Sequence, residues 1–204
     1  MSVRKMSNLG LASTSVAYKS FLAGNLTYVP FTPTGSYESI ATVTVGAGGS
    51  ASVSFTSIPQ TYTHLQLRSV QRATAGTGNY EDQNALTFNG DTGSNYARHN
   101  LYGNGTTAGA GGTGSNTQIS VADAPRNGAT ANVFGAGIID ILEYSSTFKY
   151  KTVRSLDGSD LNGGGVIIFG SGVWMSTNAI TSITITAYNT AFAQYSTFAL
   201  YGVK

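Results

Sequence analysis

The stretch 178–204, NAITSITITAYNTAFAQYSTFALYGVK, constrains this chain more than any other. Ile183, Ile185 and Ala187 alternate with Ser182, Thr184 and Thr186, the two-residue period of a strand with one buried face. After the turn-favouring Tyr188, Asn189 and Thr190, residues 195–201 are apolar on both faces. Phe198 and Leu200 point one way, and Tyr195, Ala199 and Tyr201 the other. A strand that buries two faces lies inside a sheet or at a contact between subunits. The C-terminus is therefore expected to close the fold, with one face in the core and with Tyr195 and Tyr201 against a second sheet or a neighbouring subunit.

The same period recurs upstream. Ala41, Val43 and Val45 alternate with Thr42 and Thr44, Gly46-Ala47-Gly48-Gly49 turns the chain, and Val53 and Phe55 alternate with Ser52 and Ser54. Leu65 and Leu67 face inward while His64, Gln66, Arg68 and Arg72 face out. Leu86 and Phe88 mark a strand closed by Asn89-Gly90-Asp91, and further strands are expected near 96–102, 119–121, 132–144, 148–156 and 166–175. Roughly eleven candidates at this spacing predict an all-β chain, an antiparallel β-sandwich of jelly-roll type over 36–204. Only 10% of residues are charged, against about 25% in an ordinary globular protein. Such a surface relies on covered edges, which favours a homo-oligomer.

The formal charge of +2 is spread over the chain, too little for a nucleic-acid groove or an anionic membrane. No apolar run approaches the roughly 18 residues of a membrane span, and no signal-peptide core is expected. With no cysteine there is neither a disulfide framework nor a thiolate metal site. Residues 1–35 differ from the rest: they hold Arg4, Lys5 and Lys19 but no acid, their apolar residues lack the strand period, and Pro30 and Pro33 break regular structure. They read as a frayed terminus or as an arm that docks on another subunit.

Motifs that could carry chemistry are few. Gly109, Gly111 and Gly114 form a GxGxxG, but a dinucleotide site needs that motif between a strand and a helix. Here it sits in a Gly/Thr run over 103–115 that reads as a mobile loop. His64 and His99 lack a second imidazole or a thiol at ligand spacing and read as surface or interface residues. Asp157, Asp160 and Asn162 place hard oxygen donors among glycines, a set calcium would accept or, equally, an Asx-rich turn; no other cofactor is expected. Strand alternation separates Asp140 from Glu143, so they do not read as an acid/base pair, and Asp140 can pair with Arg154 or Lys151 across a hairpin. Tyr80, Tyr102 and Trp174 lie near polar loops, where aromatic rings stack on sugars or pack into a core or interface.

Five segments together point further: SYESIATVTV (36–45), FTSIPQTYTHLQL (55–67), FNGDTGSNY (88–96), KYKTVRSL (149–156) and FALYGV (198–203). Their combination resembles small virion proteins of tailed bacteriophages, many from aquatic phages, over residues 36–204. The resemblance implies a non-enzymatic component displayed on the particle exterior, as tail fibre, head fibre or capsid decoration, and brings no set of functional residues. On that reading 1–35 is an attachment arm contacting other virion proteins, and 36–204 is an outward-facing sandwich, with a trimer favoured. The alternative is a carbohydrate-binding module for a host surface glycan, in which the loops at 76–82, 103–115 and 157–165 gather at one end and Tyr80, Tyr102 and Trp174 stack on sugar. Neither reading calls for a nucleic acid or a membrane.

Overall fold

A computed structural model describes residues 35–76, 81–188 and 190–204, the first two residues of the fourth strand by backbone alone. The chain separates into Met1–Gly35 and Ser36–Lys204; the expected arm, Gly35 apart, lies outside the described residues. The described residues contain twelve strands and no helix. In chain order they are β1 (Tyr37–Thr44), β2 (Ser52–Phe55), β3 (His64–Gln71), β4 (Glu81–Phe88), β5 (Tyr96–Gly103) and β6 (Ala108–Asn116). Then follow β7 (Ile119–Pro125), β8 (Gly135–Leu142), β9 (Lys151–Asp160), β10 (Gly165–Trp174), β11 (Ile183–Thr186) and β12 (Thr197–Val203). One sheet has eight strands in the order β1-β12-β3-β8-β9-β10-β5-β6, the other four in the order β2-β11-β4-β7. All neighbours are antiparallel. The described residues form an all-β antiparallel sandwich. At about 4.8 Å between strands the larger sheet is about 34 Å wide and the smaller about 14 Å.

Alternation decides which side chains meet between the sheets. Leu65, Leu67, Ile139, Ile141 and Val153 from the large sheet join Phe55, Leu86, Phe88, Ile183 and Ile185 from the small one in a single buried cluster. Each such side chain contributes about 1.5–3 kcal/mol when fully buried. Gly172 on β10 lets the sheets approach closely, because a Cβ there would lie 2.6 Å from Ile119 of β7. β12 runs between β1 and β3, with Phe198 and Leu200 fully buried. The Phe192 ring meets Phe198 edge-on at 4.7 Å. The final strand thus lies inside a sheet, as its two apolar faces predict.

Polar side chains lock the connections. Asn89 and Gly90 adopt φ of 52° and 68° in the turn after β4, and Asn89 Oδ1 accepts the amides of Thr181 and Ser182 at 2.8 and 3.1 Å. Ala122 takes φ 50° where the β4–β7 register shifts by one residue, a β-bulge in which it is the extra residue. Its carbonyl accepts from the side-chain amides of both Gln71 and Asn84, which offsets the local strain of about 1–3 kcal/mol.

Three expectations are corrected. Arg72 does not face out: the chain leaves the strand period after Gln71, and the guanidinium turns inward at 8% exposure. It donates to the carbonyls of Thr130, Val133, Asn127 and Ala129 at 2.8, 2.8, 3.2 and 2.9 Å. Residues 108–116 are a strand, not a mobile loop, so the GxGxxG lies along β6 with no helix following. Its small residues leave room for the rings of Tyr102 and His99 to lie over Gly109 and Gly112, a way of covering glycine on an edge strand. Lys151, offered as an alternative partner for Asp140, is instead buried, while Phe148 and Tyr150 before it are exposed. The Lys151 ammonium donates to the Lys149 carbonyl at 2.8 Å, and burial pushes its pKa down.

Candidate functional site

The aromatic residues expected near the loops do not gather. Trp174 is not a surface platform: it is 2% exposed and packs on Phe88 at 5.6 Å and Tyr96 at 6.4 Å between ring centroids. Its indole N–H donates to Asp91 Oδ2 at 2.7 Å. That bond, with those from Asn95 and the Gly93 amide, holds the Asp91 carboxyl below the usual carboxylate range. The Tyr96 hydroxyl donates to the Asp91 carbonyl at 3.0 Å, and burial lifts its pKa to about 12. Trp174 pairs with Tyr96 across β10 and β5, whereas Tyr102 stands six residues further along β5, about 20 Å away. Tyr102 is partly exposed on its own. Tyr80 lies outside the described residues.

The candidate calcium ligands also diverge. β9 continues through Asp160, so Asp157 and Asp160 project from opposite faces of the strand. Asp157 is 3% exposed and its Oδ2 accepts the Asp123 amide at 3.0 Å. Asp160 is exposed, and its Oδ1 accepts the Asn162 amide at 2.9 Å, an Asx turn at the tip of the β9–β10 hairpin. The three residues therefore form no common shell. Among the described residues no group of three His, Cys, Asp or Glu side chains could hold a metal ion.

The remaining charged candidates are engaged with one another. Asp140 pairs with Arg154 at 3.1 Å, as the hairpin spacing predicts, and also accepts from Gln66 at 2.9 Å. Arg68 donates to Gln66 at 2.8 Å, so one polar line crosses β3, β8 and β9. Glu143 lies 2.6 Å from Lys149, which holds its carboxyl below the usual range. His64 Nδ1 accepts the Glu143 amide at 2.9 Å, and His99 stands exposed on β5 beside Gly112.

These positions leave no assembled group of catalytic or metal-ligating side chains among the candidates. No protein-family model, curated protein or solved structure matches the chain.

What the fold does assemble is a surface on the large sheet's outer face. The register places Arg68, Ile138, Leu156, Phe169, Leu101 and Ala110 in one row across β3, β8, β9, β10, β5 and β6. The neighbouring row holds Val70, Ala136, Gly158, Ile167, Gly103 and Ala108. The large apolar side chains of both rows, Val70, Leu101, Ile138, Leu156, Ile167 and Phe169, are 44–60% exposed. Gly158, Gly103 and Ala136 leave a groove of about 880 Å³ between them. The polar line through Gln66, Asp140 and Arg154 borders the apolar row. An apolar strip with a hydrogen-bonded polar margin has the composition of a protein interface: apolar centre, polar rim.

The two tyrosines of the C-terminal stretch part company. Tyr201 stays in β12 and is half-buried under the Arg68 guanidinium, 5.0 Å from its ring centroid, a cation–π contact. Tyr195 precedes the strand in a turn at φ 73°. It is 69% exposed, so it does not pack on the second sheet; the turn breaks the alternation that paired it with Tyr201. The outer strip had a signal in the sequence. Ile138-Ile139 and Val166-Ile167-Ile168-Phe169 are apolar at consecutive positions, the two-faced pattern read only at the C-terminus.

Proposed function

We propose that this chain is a non-enzymatic structural component of a tailed-bacteriophage virion, displayed on the particle exterior and attached through residues 1–35. The observation that carries this reading is the strand order. Setting aside the hairpins β5–β6 and β9–β10, the remaining strands run β1-β12-β3-β8 opposite β2-β11-β4-β7. Consecutive strands of that frame alternate between the sheets except for β4 and β7, which pair within the smaller one, and this order supports a jelly roll, an architecture used in viral capsid and lectin domains. A fold alone does not assign a function; here it agrees with the five sequence segments that resemble small phage virion proteins. The exposed apolar strip adds a surface suited to protein contacts rather than to turnover. As a glycan module the chain would have only Tyr102 of its three expected platforms at the surface among the described residues.

Mass spectrometry of purified particles from a lysate that expresses the chain tests the reading. The protein is expected at a fixed ratio to the major capsid protein and open to surface digestion, and deletion of residues 1–35 is expected to abolish incorporation. Particles that lack the chain would refute it.

A further inference from the structure

We propose that the outer face of the eight-stranded sheet is the contact between two copies of this chain, packed face to face about a two-fold axis that runs along the strands between β8 and β9. The inference concerns the isolated chain and holds whether or not a particle carries it. Three features of the face select a second copy over other occupants.

The first is extent. The six half-exposed apolar side chains present roughly 500–600 Å², the upper end of the largest patch found on a monomer. With its polar margin the face approaches the ~800 Å² that each partner contributes to a standard interface. The second is charge. The face carries Arg68 and Arg154 against Asp140 and Asp160, so two identical faces meet without net repulsion. A nucleic acid or an anionic bilayer would find no cationic excess there. The third is self-complementarity under that axis. Because β8 and β9 are adjacent, the operation sets Ile138 over Leu156 of the second copy and Asp140 over Arg154 of the second copy. Arg68 and Phe169 each lie on the second strand from the axis, on opposite sides, so the operation also sets Arg68 over the Phe169 ring of the second copy. Each contact occurs twice, as a closed two-fold interface requires. Sheets pack face to face in this way about 10 Å apart with strands nearly aligned.

The inserted hairpins supply most of this surface: Leu156, Ile167 and Phe169 lie on β9–β10, and Leu101 on β5. The jelly-roll frame alone would present little more than Val70 and Ile138.

The test is the mass of the full chain, residues 1–204, in solution by light scattering coupled to gel filtration. At micromolar concentration a particle of twice the 21.1 kDa chain mass is expected. Leu156→Lys and Phe169→Lys each put a charge in the apolar strip. They should weaken the pair roughly 100-fold or more while leaving the melting curve near wild type, since both side chains are half-exposed in the single chain. Tyr195→Lys, exposed in the turn before β12 and outside both apolar rows, should leave the pair intact. The chain has no cysteine, so Leu156→Cys sets a single thiol beside the axis, roughly 11 Å Cα to Cα from its mate and beyond disulfide reach, and a short bismaleimide cross-linker should yield a covalent dimer. This second reading stands if the lysine variants misfold. A monomeric wild type, a trimer, an assembly indifferent to both lysines, or a dimer that Leu156→Cys does not cross-link would each overturn the proposal.

Discussion

Replacing Arg72 with alanine probes how one buried cation organises a long connection. The guanidinium uses all four of its terminal N–H donors on four backbone carbonyls of 127–133, and no carboxylate is among these partners. Its own backbone is tied as well: Ser196 Oγ accepts the Arg72 amide at 3.1 Å, and the Ala193 amide donates to the Arg72 carbonyl at 2.7 Å. Truncation orphans four acceptors at a cost of about 1–3 kcal/mol for each one left dry. The side chain borders a groove of about 370 Å³ lined by Asn127, Ala129 and Asn132, which lets water reach some of these carbonyls. The net loss should then be about 3–5 kcal/mol, or roughly 8–15 °C in a domain of this size. Arg72→Met, which keeps the stem, should lose nearly as much. Arg72→Lys, which keeps the charge but not the planar fork, should fall between. Urea unfolding followed by the emission of Trp174, the sole tryptophan, gives all three values. An alanine variant within about 1 kcal/mol of wild type would refute the assigned role, and a methionine variant equal to wild type would move the effect from hydrogen bonding to packing.

Asp91 predicts an acid limb to stability. Its folded-state pKa is depressed, first by the Trp174 indole and then by Asn95 and the Gly93 amide. The stabilisation is therefore present above the unfolded carboxylate value near 3.9 and is lost as pH falls through the lower folded value. Melting temperature measured from pH 6 downward should drop in that window, and Asp91→Asn should flatten the drop; an unchanged profile would remove Asp91 from the account. Gly172→Ala should cost about 1–3 kcal/mol by driving a Cβ into Ile119. Ile119→Val in the same chain should recover part of that loss, and strict additivity in the double variant would show that the two do not meet.

Much of the frame was legible in the sequence because alternation is a local signal. Val53 and Phe55, Leu65 and Leu67, and Ile183 and Ile185 all point inward as their spacing predicts. The Asp140–Arg154 pair is one of the two that the hairpin spacing offered. What alternation cannot say is which face of a strand meets the core when both faces, or neither, are apolar. Ile138 and Ile139 look alike in the chain, yet one is half-exposed and the other buried. Over 108–116 there is almost no side-chain pattern to read, and it is pairing with β5 that makes the run a strand. Arg72 and Trp174 misled for a different reason. Each lies at or just past a strand end, where the period stops and a buried polar partner set by tertiary structure decides the direction: four carbonyls for Arg72, Asp91 for Trp174. The candidate calcium ligands part because β9 runs on through Asp157 and Asp160, and a strand turns neighbouring carboxylates away from each other where a loop would gather them.

The two inserted hairpins are anchored at their roots, and β9 is also held along its pairing with β8 as far as Gly158. Tyr96, Trp174 and Lys151 pair across β5, β10 and β9 at the hairpin roots, where the rings, Asp91 and the buried lysine fix them to the frame. At the far end Gly105 and Gly163 have positive φ, and a Cβ added at either would meet nothing within 4 Å. Residues added there lengthen the ladder outward without shifting the register of any strand in the frame. The architecture thus separates heritable change in reach from change in folding: the tips are free to drift in length while the core continues to be written by the same twelve strands.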